Sequence, residues 1–307
     1  MKAAWYERFG AAAEVLRVGE HPDPRPRPGE VLVALNASAV NPSDVRKRAG
    51  QFPGLLDEGP IIPHSDGAGV IEAVGDDVHP GRIGQRVWVY QGQHVRREGT
   101  AASLIAIDAG RAVPLPDSVD FVTGACLGIP VMTAHRCVFA DGPVHGKSVL
   151  VTGGAGRVGH MAIQWASQAG AHVIATASND DDVEACRAAG ARAVVNHRQP
   201  GWGLQAVALN GSEKVDRVVD LEFGQNLPET LNALKVGGVL AAYGSIAEPE
   251  PKVPFYTMMY LDLLLRTVIV YEMPEAAKTQ AVHDIDRALD AGWLQPRVAC
   301  RVPLADV

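Results

Sequence analysis

Apolar positions along this chain change their spacing near Asp120. Upstream, short β-rich runs at Glu30–Leu35, Val70–Val74 and Arg86–Tyr90 predict strands, parted by Gly-Asp-Asp and Pro-Gly turns. A proline-rich turn, Pro22–Pro28, precedes the first of them, and no long helical period interrupts. This pattern predicts a compact barrel-like domain to about residue 122. Downstream, strands and helices alternate. Phe121–Ala140 reads as a helical stretch broken at Gly128-Ile129-Pro130, and Ser148–Thr152 as a short buried strand. Arg157–Ala169 is a helix by the spacing of Val158, Met161, Ala162 and Trp165. Strands at Ala171–Thr176 and Ala193–Asn196 flank a helix over Asp181–Ala189, which Gly190 closes. Val215–Asp220, Val239–Tyr243 and Val268–Tyr271 supply further strands, and Pro274–Ala291 a last amphipathic helix. Six apolar strands with intervening helices imply an α/β fold with a doubly wound parallel sheet.

Composition narrows the class. The chain has 307 residues, is 47% hydrophobic and 21% charged, and carries a formal charge of −7. That is a folded protein of about two domains, without the basic face of a nucleic-acid binder. No segment reaches the roughly 18 continuous apolar residues of a membrane helix. Met1–Tyr6 runs straight into Glu7 and Arg8, so no secretory signal is expected. Cys126, Cys137, Cys186 and Cys300 are scattered with no CxxC pair, which predicts reduced thiols in a cytoplasmic protein and no zinc site built on them.

The sharpest signal is Gly154-Ala155-Gly156-Arg157-Val158-Gly159. It matches G-x-G-x-x-G directly after a strand and at the start of a helix. Its glycines suit a tight turn, close approach of backbone to a pyrophosphate, and close helix–strand packing. The helix N-terminus offers N–H groups and partial positive charge to phosphate. An NAD site usually carries an acidic side chain about 20 residues further on. Here the second strand ends Ala177-Ser178-Asn179, which leaves room for a 2′-phosphate and favours NADPH over NADH. Asp180-Asp181-Asp182 follow and would repel phosphate, although acidic residues also suit a helix's first turn. Arg157, His197 and Arg198 are the candidate counter-charges.

These features join into a resemblance. Asn41-Pro42-Ser43-Asp44 with Arg48-Ala49-Gly50, Ser65–Gly75, Gly128-Ile129-Pro130 with Thr133-Ala134, and the glycine loop with Ala177-Ser178 and Asn196-His197-Arg198 carry it; Gly292–Pro296 continues it. Together they resemble the zinc-free quinone oxidoreductases, the zeta-crystallin-like branch of the medium-chain dehydrogenase/reductases, over nearly the whole chain. The resemblance implies a GroES-like β-barrel domain from residues 1–122 and 274–307, with a Rossmann domain over residues 123–273 inserted in it. It also implies NADPH use and a homodimer or homotetramer. Family members continue past the point matching Pro303–Val307 with a helix and a strand.

Carried over residue by residue, the resemblance implies that Ala155, Gly156, Arg157 and Val158 meet the pyrophosphate. Ser178 and His197 fall near the adenosine phosphate. Asn226 follows the fourth strand, Tyr243, Gly244 and Ser245 end the fifth, and Val270 in the sixth approaches the nicotinamide. Phe52 stands where many members have tyrosine. In the related zinc enzymes a cysteine would stand at Asn41, a histidine at Ser65 and a cysteine near Ile129, so no metal is expected. His64, beside Ser65, takes a place where glycine is usual; it reads as structural or surface-exposed more readily than as lining the cleft. Without zinc, the acceptor must take hydride without strong polarisation, as a quinone or an activated alkene does. No dedicated acid is visible. Asn41 is the best polar candidate for a catalytic donor, with Asp44 to orient it. The leading expectation is an NADPH-dependent quinone reductase. Reduction of α,β-unsaturated carbonyls or enoyl thioesters is the alternative, and a dinucleotide-binding protein of structural or sensing role the third.

Overall fold

The computed structural model describes residues 1–307, which divide into two compact units. The first comprises Met1–Ile129, Asp284–Gly292 and Val298–Val307; the second comprises Pro130–His283 and Trp293–Arg297.

The first unit opens with β1 (Lys2–Trp5), a short helix α1 (Ala12–Val15) and β2 (Arg17–Glu20), and β1 and β2 pair antiparallel. Then come β3 (Glu30–Ala39), α2 (Pro42–Arg48), β4 (Asp66–Val74), β5 (Arg86–Val89), β6 (Leu104–Asp108), β7 (Ala112–Pro114) and α3 (Phe121–Ala125). The five strands β3–β7 form an antiparallel sheet in the order β6-β3-β4-β5-β7. Alternation sends Val31, Val33, Ile71, Val87, Val89, Ile105 and Ile107 to one buried cluster. Two register shifts bend β3 against β4, between Leu32 and Val33 and between Leu35 and Ala37. Gly69 sits in this ladder, where a Cβ would lie 1.9 Å from Ala34 O, so only glycine lets the strands pair.

The second unit alternates as expected: α4 (Ile129–Phe139, its first residue in the first unit), β8 (Ser148–Val151), α5 (Arg157–Gln168), β9 (His172–Ala177), α6 (Asp180–Ala188), β10 (Ala193–Asn196), α7 (Trp202–Leu209), β11 (Val215–Asp220), α8 (Phe223–Ala233), β12 (Leu234–Ala242), α9 (Phe255–Tyr260), β13 (Leu264–Thr267) and the start of α10 (Glu275–Asp290), whose residues from Asp284 on belong to the first unit. All ladders are parallel, in the order β10-β9-β8-β11-β12-β13. In sequence terms this is 3-2-1-4-5-6, the doubly wound dinucleotide-binding order, and the order reverses between β8 and β11. Both faces are covered, so Val149, Leu150, Val151, Val218 and Val219 read as continuous apolar runs.

One strand differs from expectation. The sixth is Leu264–Thr267, not Val268–Tyr271. The more apolar run lies just beyond it, where Val270–Glu272 forms a 3₁₀ turn that buries Val270. Tyr243, Gly244 and Ser245 likewise follow β12 instead of ending it.

Candidate functional site

In the second unit the chain leaves β8 at Thr152 and turns through Gly153–Gly156 into α5. Three bonds hold the turn. Gly153 N donates to Thr176 Oγ1 (2.9 Å), Gly154 N to Thr176 O (2.9 Å) and Gly156 N to Gly153 O (2.9 Å). The glycines are obligatory for two reasons. A Cβ on Gly154 would come 2.7 Å from Cys186 Sγ and 2.8 Å from the Ala175 Cβ. One on Gly159 would meet Gly153 O at 2.3 Å. Gly156 is the N-cap and has no capping side chain. The α5 ladder starts only at His160, whose N–H donates to Gly156 O (2.8 Å), so the first-turn N–H groups precede it. Ala155, Gly156, Arg157 and Val158 are half-buried or exposed here. A tight backbone cradle at an uncapped helix N-terminus fits a dinucleotide pyrophosphate.

Beside the loop, Asp220 ends β11 and is fully buried. Its Oδ1 accepts from Thr152 Oγ1 (2.6 Å) and Asn226 Nδ2 (2.8 Å), while Asp220 O accepts from Tyr243 N (3.0 Å). Burial raises the carboxyl pKa against these bonds. The bridge ties together the ends of β8 and β11, where ligands of an open sheet bind. Asn226 thus spends one amide hydrogen inward. Ser245 Oγ accepts from Gly224 N (3.0 Å) and donates to Glu248 O (2.5 Å), which fixes the loop after β12. Gly244 O accepts from Phe223 N (2.8 Å), and burial holds the Tyr243 phenol well above its usual pKa.

Beyond the loop, Ser178 follows β9 half-buried, and Asn179 caps α6 by accepting from Asp182 N (2.9 Å). His197 follows β10; partial burial, then Arg198, lowers its pKa while Asp182 opposes them. Val270 stands in the 3₁₀ turn described above, not in a strand. Arg297, which the sequence offers no signal for, bonds Ala155 O (2.6 Å).

The first unit gathers its polar candidates around Asp66. Asn41 is the N-cap of α2 and is buried. Asn41 Nδ2 donates to Asp66 Oδ2 at 2.9 Å, and Ile129 N donates to the same oxygen at 2.8 Å. Gly128 must lack a side chain, since a Cβ would fall 2.1 Å from Asp66 Oδ1. Asn41 N donates to Asp44 Oδ2 (2.7 Å), so Asp44 fixes the Asn41 backbone and Asp66 its amide. Asn41 and Ile129 therefore do come together, about the Asp66 carboxyl, whereas Ser65 is buried and is held through its carbonyl, which accepts from Gly92 N (2.7 Å). No three or more His, Cys, Asp or Glu side chains form a group able to hold a metal ion.

His64 is buried with φ +73°, a left-handed conformation that favours glycine. Its Nδ1 lies 3.0 Å from Ser38 Oγ, which lies 2.8 Å from Thr100 Oγ1; that hydroxyl donates to Asp66 O (2.7 Å). Thr100 has one proton to give, so Ser38 donates to Thr100 and accepts from His64 Nδ1–H. Burial lowers the His64 pKa to about 4, so the ring is neutral at pH 7. It is buried and hydrogen-bonded within the first unit, not surface-exposed. Phe52 starts the 3₁₀ turn Pro53–Leu56 and is 51% exposed, so it belongs to no core.

Comparison with known proteins adds the lineage. Residues 27–117 match the alcohol dehydrogenase GroES-like domain, and residues 158–287 match the zinc-binding dehydrogenase family. A quinone oxidoreductase of Homo sapiens is 31% identical over 311 residues, spanning 100% of this chain and 92% of that protein. A 2-haloacrylate reductase of a Burkholderia species is 30% identical over 231 residues, 73% of this chain and 68% of that protein. A mycobacterial structure solved with NADPH superposes with a TM-score of 0.87 at 28% identity, covering 100% of this chain and 94% of that one. The chain belongs to the quinone oxidoreductase family of the medium-chain dehydrogenase/reductases.

Proposed function

We propose that this chain is an NADPH-dependent quinone reductase that works without zinc. The observation that carries the reading is full-length likeness to a quinone oxidoreductase in a chain with an intact glycine cradle. When bound, NADPH supplies the hydride. Ala155, Gly156, Arg157 and Val158 hold the pyrophosphate through backbone N–H groups and the α5 N-terminus. Ser178 and His197 serve the adenosine phosphate. Phe52, Asn226, Tyr243, Gly244, Ser245 and Val270 serve the remainder of the cofactor.

Asn41 is the polar group assigned to the acceptor, its amide oriented by the bond to Asp66. A quinone needs little more, because its reduction yields an aromatic hydroquinone. His64 is neutral and Phe52 has no hydroxyl, so neither is assigned as the acid, and a donor or water completes protonation of the product. The zinc-free reading draws on Asn41, Ser65 and Ile129, none of which brings a thiolate or imidazole. The test is NADPH consumption with 1,4-naphthoquinone, before and after metal chelation; no turnover with any quinone would sink the proposal.

The likeness to a 2-haloacrylate reductase favours a second reading, reduction of activated alkenes. A panel pairing enones with quinones separates the two. Tight NADPH binding with no turnover would instead indicate a binding protein.

We also propose a homodimer in a cytoplasmic setting, its four cysteines all unpaired. Helix α9 exposes Phe255 (66%), Tyr256 (71%) and Tyr260 (78%), and edge strand β13 exposes Leu264 and Leu265, apolar surface suited to pairing. Sedimentation at monomer mass across micromolar concentrations would refute it. No helix is long and apolar enough to cross a membrane.

A further inference from the structure

The acidic first turn of α6 sits awkwardly in a site meant for a 2′-phosphate. Asp180, Asp181 and Asp182 all lie there. The fold brings a cation to this turn from far along the chain. Residues Trp293–Arg297 belong to the second unit. A reciprocal pair of hydrogen bonds pins them to α5: Gln164 Nε2 donates to Gln295 O, and Gln295 N to Gln164 Oε1, both at 2.9 Å. Trp293 packs edge-on against Trp165 with ring centroids 5.0 Å apart. Arg297 is then delivered to the loop. Its Nη1 donates to Ala155 O at 2.6 Å and reaches Asp182 Oδ1 at 3.3 Å. One guanidinium therefore spans the glycine loop and the acidic turn.

We propose that Arg297 sets the cofactor preference, neutralising Asp182 and giving its guanidinium to the ribose 2′-phosphate of NADPH. The inference rests on the dinucleotide reading above. An uncompensated Asp182 would repel a phosphate of nearly two negative charges. Paired with Arg297 it does not, and Ala155 O takes only part of a five-donor fork. The remaining donors are free to meet phosphate oxygens in charge-assisted bonds. Both side chains are partly open, Arg297 at 41% and Asp182 at 35%, so an arriving phosphate reaches them. NADH lacks that phosphate and gains nothing from Arg297. Once the guanidinium is gone, Asp182 is left to accept from the ribose hydroxyls instead.

The experiment measures dissociation constants of NADPH and NADH for the full chain by fluorescence, at fixed ionic strength. Arg297→Gln is expected to weaken NADPH by about 10- to 100-fold while NADH is unchanged or tightened. Adding Asp182→Asn to Arg297→Gln is expected to restore part of the NADPH affinity. Arg297→Lys keeps the charge and is expected to retain the preference, even if the Ala155 bond is lost. Equal weakening of both dinucleotides in Arg297→Gln would show that the residue only supports the loop, and would overturn the proposal. So would an unchanged affinity ratio. A wild-type chain that binds neither dinucleotide would overturn the underlying reading as well, which separates the two failures.

Discussion

Replacing Asp66 by alanine removes an acceptor that two donors share. Asn41 Nδ2 and Ile129 N lie 2.9 and 2.8 Å from one oxygen of a carboxylate with no solvent exposure. Leaving a buried donor without its acceptor costs about 1–3 kcal/mol, so losing both bonds is worth on the order of 2–6 kcal/mol. Asn41 is itself buried, so bulk water does not readily take the place of the lost acceptor. At roughly 2–4 °C per kcal/mol for a domain of this size, the melting midpoint of the first unit should fall by about 4–24 °C. Asp66→Asn keeps the shape and one acceptor oxygen, and should cost only about 1–2 kcal/mol. Gly128→Ala is the geometric control. Its Cβ would fall 2.1 Å from Asp66 Oδ1, so the change should be severe in the wild type and milder beside Asp66→Ala. Circular dichroism melts of the wild type and the four variants decide the matter, read at the first transition because two units need not melt as one. An Asp66→Ala midpoint within about 2 °C of wild type would refute the reasoning.

Gly159→Ala places a Cβ 2.3 Å from Gly153 O, so the loop must move, and NADPH affinity should drop by at least about tenfold while the melting midpoint of the first unit holds; retained binding would show that the cradle is not the site. His64 has a folded pKa of about 4, below its unfolded value near 6.5. The unfolded state therefore binds more protons between those values, and stability present above pH 6.5 is lost on acidification. At pH 5 this amounts to about 2 kcal/mol for His64, and melts from pH 7 to pH 5 should show a smaller loss in His64→Asn. His160, also held near 4 by burial and then Arg297, adds a parallel loss that the variant retains. An identical pH dependence in both proteins would contradict the account of His64.

Much of the second unit was legible because its signals are local. Thr152–Gly159 states a strand end, a turn and a helix start within eight residues, and apolar spacing marks α5 and β8–β11. The sixth strand was misplaced for a physical reason. Leu264 and Leu265 are exposed at a sheet edge, and Arg266 pairs with Asp141 (Nε to Oδ2 2.6 Å), so β13 does not look apolar enough. The buried run after it is a turn. The early start of β12 at Leu234 was hidden by Gly237 and Gly238, where the ladder with β11 shifts register. Asp66 and Arg297 were invisible for another reason. Their partners are far away in sequence: Asp66 meets Ile129 at a separation of 63, and Arg297 meets Ala155 at 142. The φ of His64 had one sequence signal, a residue standing where relatives use glycine.

The glycine cradle is proposed to serve zinc-independent hydride transfer from NADPH to a quinone. Initial rates with 1,4-naphthoquinone, measured for NADPH and NADH on chelator-treated protein, test it most directly. Turnover is expected to survive chelation and to be faster with NADPH at limiting cofactor. No turnover with either cofactor, or activity that appears only when zinc is restored, would contradict it.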